Sequence, residues 1–297
     1  MPTVPSRALP GLLRLVGANR AFVSAERATQ HVEQVSLRPR AYGPPRLLRR
    51  DVSLSVDDRL GWPVYTLTPR HREARGAVVY VHGGGWVNQV AVQHWRLAAQ
   101  VAAEAGTAVS LPIYPLVPFG TAEQVVAAVV ELVLRSPAGA GSTSLAGDSA
   151  GGQIALSAAV SLRHEHQLTV PRTVLIAPSL DLTLANPEID AVQPSDPWLG
   201  REGSRVFIEH WRGDLPVTDP RVSPLNADLD GLGPMTVFSG THDILNPDTR
   251  LLVDKARAAG VDVEYHERPG LVHVYPLTPT REGRDARRLV VERLRAP

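Results

Sequence analysis

The 297-residue chain contains no cysteine, which removes disulfides, thiolate nucleophiles and cysteine-ligated metal together. Lysine is almost missing too: of the 31 basic residues only Lys255 is a lysine, the rest being arginine. Against 30 acidic residues the formal net charge is +1, so no bulk field selects nucleic acid, an anionic membrane or an acidic partner. Long apolar runs are also absent. No stretch approaches the roughly 18–20 uninterrupted apolar residues that a membrane helix needs. The short apolar run around Leu12 and Leu13 is broken by Arg14 and lacks a good cleavage pattern, so it is not read as a signal peptide. A cytoplasmic protein is expected, with no cofactor and no metal, and nothing in the composition excludes a homodimer. What is present is ordinary core material, 43% hydrophobic and 21% charged residues, enough for one large domain with a decorating segment or two small domains.

Residues 1–48 differ from the rest. Leu9, Leu12, Leu13 and Val16, then Phe22, Val23, Val32 and Val35, suggest two amphipathic helical pieces, ended by a proline- and arginine-rich connector from Arg38 to Arg46. From Leu47 the pattern turns to β. An alternating run from Asp51 to Val56, a turn through Asp57, Asp58, Arg59, Leu60 and Gly61, and a return from Trp62 to Leu67 predict an antiparallel hairpin at a sheet edge. Ala77–Val81 is continuously apolar, the mark of a strand buried on both faces. Further strands are expected at Ala108–Ile113, before Asp148, at Thr173–Pro178, at Met235–Gly240 and at Val261–His266. Helices are expected between them, at Gln93–Gly106, at Thr121–Leu134, from Gln153 and at Pro247–Ala259. Residues 184–216, with Trp198, Phe207 and Trp211 among prolines and charges, read as an insertion. Alternating strands and helices imply an α/β class with a mostly parallel central sheet and helices on both faces.

The chemistry-bearing stretch is Gly147-Asp148-Ser149-Ala150-Gly151-Gly152, lying between a strand and a helix. A serine on so sharp a turn needs small neighbours, and Gly-x-Ser-x-Gly in strand–turn–helix context is the nucleophile elbow of α/β-hydrolases. Alone it could equally be a glycine-rich turn or a phosphate cradle, so the remaining parts decide. Acyl transfer by serine requires a base, an acid that orients the base, and N–H donors for the oxyanion. In this fold the chain order is serine, acid, histidine, each at a strand end. His273 follows the last expected strand in the run Pro269–Pro276, whereas His266 falls inside that strand, where a structural role is expected. Asp243 follows the strand ending at Gly240 and is the preferred acid. Asp248 competes with it but should begin a helix, where a carboxylate is favoured anyway. His82-Gly83-Gly84-Gly85 follows a buried strand, and its glycines let backbone N–H groups approach a substrate oxygen; the Ala150 N–H, at a helix N-terminus, is the second donor set.

His82-Gly83-Gly84-Gly85-Trp86 together with Gly147-Asp148-Ser149-Ala150-Gly151-Gly152 resembles the hormone-sensitive-lipase family of α/β-hydrolases, and Asp219-Pro220-Arg221-Val222-Ser223-Pro224-Leu225 resembles that family's run before the acid-bearing strand. The resemblance covers roughly residues 50–295 and implies an α/β-hydrolase fold with a helical cap. It implies Ser149 as nucleophile, Asp243 as acid and His273 as base, with Gly84, Gly85 and Ala150 forming the oxyanion hole and Gly83 holding the turn. Residues 1–48 and 184–216 would form the cap on a catalytic domain of residues 49–297. The substrate implied is a short- or medium-chain carboxylic ester. The chain departs from the family in carrying Phe119 where a glutamate is usual, Ile244-Leu245 after the acid, and Val274-Tyr275 after the base. Amide or formamide cleavage by the same triad, and a non-catalytic small-molecule receptor of the same fold, are the alternatives. A zinc site at His164-Glu165-His166 is excluded by spacing, since two ligands on one helical face need i and i+4.

Overall fold

A computed structural model describes residues 4–58 and 60–295; Arg59, in the expected hairpin turn, lies outside them. Two helices come first, α1 (Leu9–Leu15) and α2 (Ala25–Leu37). The Ser24 side chain caps α2 by accepting the Arg27 N–H, and the helix buries Ala28 and Val32. Phe22, expected inside the second helical piece, lies instead in the turn ahead of it and is buried. The expected hairpin follows as β1 (Val52–Asp57) and β2 (Val64–Pro69). Strands and helices then alternate as β3 (Ala77–Val81), α3 (Val92–Gln100), β4 (Ala108–Pro112), α4 (Ala122–Leu134), β5 (Thr143–Asp148), α5 (Ala150–His166) and β6 (Thr173–Ile176). The chain continues through α6 (Glu188–Val192) and α7 (Arg201–Arg212) to β7 (Met235–His242), α8 (Asn246–Ala258), β8 (Val263–Val272) and α9 (Arg281–Arg293).

Among the described residues the strands form one eight-stranded sheet in the order β1-β2-β4-β3-β5-β6-β7-β8. The β1/β2 and β2/β4 pairs are antiparallel, and every pair from β4 to β8 is parallel. Parallel strands need crossover helices, which cover both faces and leave the central strands no wet side. All residues of β3 and β6 are accordingly buried. One core packs α4, α5 and α8 against the sheet, and the opposite core packs α3 and α9. Helix α5 is buried from Ala150 to Val160, and its alanines, glycines and serines let it sit close on the strands.

The differences from the expected boundaries have local causes. Helix α5 begins at Ala150 rather than Gln153, because Gly151 and Gly152, poor helix formers, are required there by packing and hide the first turn. Strand β7 continues past Gly240 to His242. Strand β8 runs on past His266 to Val272, so Pro269–Val272, expected as loop, is strand. Proline reads as a strand breaker, but β8 is the sheet edge, where a missing N–H leaves no ladder bond unmade.

The N-terminal segment and the insertion pack on one another. The Phe22 ring meets Phe207 of α7 edge-on with centroids 5.4 Å apart, and the Gly203 N–H donates to the Phe22 carbonyl at 3.1 Å. Both rings lie against Gly85, just beyond β3, so the two segments meet at the carboxyl end of the sheet.

Candidate active site

Ser149 is the first residue beyond β5, and its backbone adopts φ 53°, ψ −121°, a conformation that side-chain-bearing residues rarely occupy. The surroundings hold it there. Its N–H donates to the Ile176 carbonyl at 2.8 Å, and its own carbonyl accepts from Gln153 and Ser179. Close approach explains the flanking glycines: a Cβ at Gly147 would collide with the Gly151 carbonyl, and one at Gly151 with the Val81 carbonyl. The strained turn is therefore clamped between β3, β5 and α5, with the hydroxyl displayed at the strand end.

Asp243 and His273 are the first residues beyond β7 and β8, so three expected site residues stand at the carboxyl ends of parallel strands. Their side chains meet. His273 Nε2 lies 2.8 Å from Ser149 Oγ, and His273 Nδ1 lies 2.8 Å from Asp243 Oδ2. The second Asp243 oxygen accepts the Leu245 N–H at 3.0 Å, so both oxygens of a fully buried carboxylate are satisfied. With Asp243 on Nδ1 as an acceptor, the imidazole proton belongs on Nδ1 and the Nε2 lone pair faces the serine hydroxyl. Burial pushes the His273 pKa down, but the Asp243 carboxylate, and more distantly Asp196 and Asp148, outweigh that and hold it above the ordinary histidine value. Only 7% of Ser149 and 4% of His273 is exposed, so the pair sits in a largely dry enclosure.

The glycine loop beyond β3 lies directly beside the serine: a Cβ on Gly83 would stand 3.0 Å from the Ser149 Cβ. Among the described residues, the N–H groups of Gly83, Gly84, Gly85 and Ala150 make no internal hydrogen bond, so the three expected oxyanion donors are free. Ala150 opens α5, so its N–H also carries the helix dipole. The carbonyls of the loop are held on the opposite side. His82 Nδ1–H donates to the Gly83 carbonyl at 2.7 Å, and the Asn88 backbone N–H donates to the Gly84 carbonyl at 2.9 Å. Burial, with His94 nearby, pushes the His82 pKa down to about 4, so its ring is neutral with its single proton on Nδ1. Tyr114 stacks on that ring and donates its hydroxyl to the His82 carbonyl at 2.9 Å.

Beneath the elbow lies a network that sequence reading did not foresee. Asp148 is buried and accepts the Tyr80 hydroxyl at 2.6 Å and His94 Nε2–H at 3.2 Å. His94 Nδ1 accepts the Ala91 N–H, which assigns the proton to Nε2. Burial alone would raise the Asp148 pKa, but His94 and Tyr80 outweigh it and hold the carboxyl below its usual range. On the other side, buried Gln153 accepts two indole N–H groups, from Trp211 at 2.9 Å and Trp86 at 3.2 Å, and donates to the Arg221 carbonyl at 2.7 Å. One α5 side chain thus joins the glycine loop, α7 and the Asp219–Leu225 segment. A charged residue next to the serine and a polar residue on an apolar helix were the available signals for these two centres.

Asp196, in the insertion, gave no such signal. It is buried, its Oδ2 accepts the Ile244 N–H at 2.9 Å, and its Oδ1 accepts the Trp198 and Leu199 N–H groups. Burial and repulsion from Asp243 push its pKa up to about 6. The Trp198 ring meets His273 edge-on with centroids 6.1 Å apart. Of the competing residues, His266 stacks on Phe238 within the sheet, and Asp248 stands in the first turn of α8 bound to Asn186 at 2.8 Å, away from the histidine. A separate apolar cavity of about 240 Å³ lies between Val35, Trp62, Val87, Tyr114 and Phe119, and Ser149 does not line it.

Residues 78–277 match the protein family described as alpha/beta hydrolase fold. The chain is 32% identical over 235 residues to a triacylglycerol lipase of Mycobacterium tuberculosis, a match spanning 77% of this chain and 49%, about half, of that protein. It is 29% identical over 225 residues to an acetyl-hydrolase of Streptomyces hygroscopicus, covering 73% of this chain and 74% of the relative. Among solved structures, an esterase from the bacterial hormone-sensitive lipase family superposes with a TM-score of 0.81 at 26% identity, over 99% of each chain.

Proposed function

The chain belongs to the α/β-hydrolase family, on its hormone-sensitive-lipase branch, and from that premise we propose that it hydrolyses short- or medium-chain carboxylic esters through an acyl-enzyme on Ser149. The observation that carries the reading is the continuous hydrogen-bonded series from Ser149 Oγ through His273 to Asp243, at 2.8 Å in each step. In the proposed reaction Ser149 Oγ attacks the ester carbonyl while His273 Nε2 takes its proton. Asp243 keeps the imidazole in the working tautomer and stabilises its charge. The oxyanion of the tetrahedral intermediate accepts from the N–H groups of Gly84, Gly85 and Ala150. Collapse expels the alcohol, which takes the proton from His273, and water, activated by the same histidine, then releases the carboxylic acid and regenerates the serine.

A receptor that only bound small molecules would have no use for a base hydrogen-bonded to a strained serine. Esters are favoured over amides by the names of the relatives, a lipase, an acetyl-hydrolase and an esterase. The N-terminal segment and the insertion, joined through Phe22 and Phe207 over Gly85, serve in this reading as the cap that encloses the acyl group. Turnover of p-nitrophenyl acetate and butyrate tests the proposal. Wild type should release p-nitrophenol with a stoichiometric burst or steady turnover, and Ser149→Ala and His273→Ala should each retain under about one-hundredth of kcat. Folded His273→Ala protein keeping more than about a tenth of wild-type turnover would remove histidine from the mechanism.

A further inference from the structure

We propose that Asn88 and His31 are positioning residues, which aim the oxyanion donors from behind and tie that aim to the docking of α2. The proposal rests on the ester-hydrolase reading given above. The Gly84 carbonyl and the Gly85 N–H belong to one planar peptide unit and point in opposite directions. Whatever grips the carbonyl on the outside therefore sets the direction of the N–H on the inside. Three donors grip it: the Asn88 N–H at 2.9 Å, the Val87 N–H at 3.3 Å and the Asn88 side-chain Nδ2–H at 3.1 Å. Gly84 has φ +127°, open to glycine and strained for other residues, so the loop geometry alone does not hold this peptide rigidly.

The side-chain donor is itself oriented. A carbonyl only accepts, so the Asn88 amide must turn Nδ2 toward Gly84 and Oδ1 away from it. Oδ1 lies 2.9 Å from His31 Nε2 on α2, which then has to be the donor. The series His31 Nε2–H to Asn88 Oδ1, and Asn88 Nδ2–H to the Gly84 carbonyl, has one direction only. It reaches from the N-terminal segment to the oxyanion loop, in sequence a distance no local motif spans. The His31 ring also meets Phe207 edge-on at 6.3 Å, and Phe207 packs beside Gly85, so α2 reaches this loop through Asn88 and through α7. Departure of α2 would release the side-chain clamp while leaving the backbone clamps, so the hole reaches full alignment only when the N-terminal segment is seated.

The test is steady-state kinetics on p-nitrophenyl butyrate combined with hydrogen exchange of the segment 82–89. Losing an oxyanion donor outright lowers kcat by about 10²–10³, so loosening one should lower kcat by about 10- to 100-fold in Asn88→Ala with KM changed less than about threefold. Asn88→Asp, which cannot donate to the carbonyl, should be no better than alanine. His31→Ala should lose about 3- to 10-fold in kcat, and His31→Gln, whose Nε2–H occupies nearly the same place, should recover to within about twofold. The double variant His31→Ala/Asn88→Ala should be no worse than Asn88→Ala, because the two residues act in series. Exchange in the segment should quicken in both single alanine variants. An Asn88→Ala enzyme within about twofold of wild-type kcat, or losses that multiply in the double variant, would overturn the proposal. Should wild type fail to turn over any ester, the ester-hydrolase reading falls, while unchanged exchange in Asn88→Ala would separately dispose of the clamp.

Discussion

Asp243 and Asp248 follow the same strand five residues apart, and their surroundings separate them. Asp243 has both oxygens satisfied and one of them on His273; Asp248 has one oxygen on Asn186 and the other buried without a partner. Burial pushes the Asp248 pKa up to about 6. A carboxylate whose folded pKa lies above its unfolded value near 4 stabilises the fold fully only below that value, and the contribution is lost as pH rises through about 6. Asp248→Asn should therefore raise stability at pH 8 by roughly 1–3 kcal/mol, with the gain vanishing near pH 4, measured by denaturant unfolding at both pH values. The same variant should keep its esterase activity, whereas Asp243→Asn should lose about 10³–10⁴ in kcat. Asp196 makes a different prediction. In the proposed mechanism His273 works as a base only when neutral, and its raised pKa should place the rise of kcat/KM at higher pH than an ordinary histidine would. Removing the Asp196 charge lowers that pKa, so Asp196→Asn should move the acidic limb of the profile down by about 0.5–1 pH unit. An unmoved limb would show that Asp196 does no more than hold the Ile244, Trp198 and Leu199 amides.

Among the elements, the central strands were the most legible and the insertion the least. Ala77–Val81 was read to its exact ends because a strand buried on both faces is apolar at every position. The N-terminal helices were legible as helices, but their partner was not, since the stripe on α2 says only that something covers it. The structure supplies α7, through Phe22 and Phe207. Trp198, three residues before α7, stands edge-on to His273 and is only partly buried, so a substitution there can open space beside the proposed acyl-transfer centre without emptying the core. Trp198→Ala should shift kcat/KM toward longer acyl chains, raising the p-nitrophenyl octanoate to acetate ratio at least threefold, about 0.6 kcal/mol or more. An unchanged ratio across acetate, butyrate and octanoate would place the acyl group elsewhere than beside Trp198.

For the whole molecule, the sheet order brings the functional strand ends to one edge of the structure. Ser149, Asp243 and His273 follow β5, β7 and β8, and the glycine loop follows β3, next to β5. No helix among the described residues is long and apolar enough to cross a membrane. The sequence by itself determined the alternation of strand and helix, the order Ser149, Asp243, His273, and the two glycine clusters, because each depends on a few consecutive residues whose backbone demands are local. Only the tertiary structure decided which distant groups meet. It bonds Asp243 to His273 and Asp248 to Asn186, sets the Asp196 carboxylate on the Ile244 N–H next to Asp243, joins Trp86 and Trp211 at Gln153, and sets His31 against Asn88. The physical reason is the same in each case: a buried polar group must find its partner across the fold, and a partner 58 residues away, as Trp211 is from Gln153, leaves no trace in the local pattern.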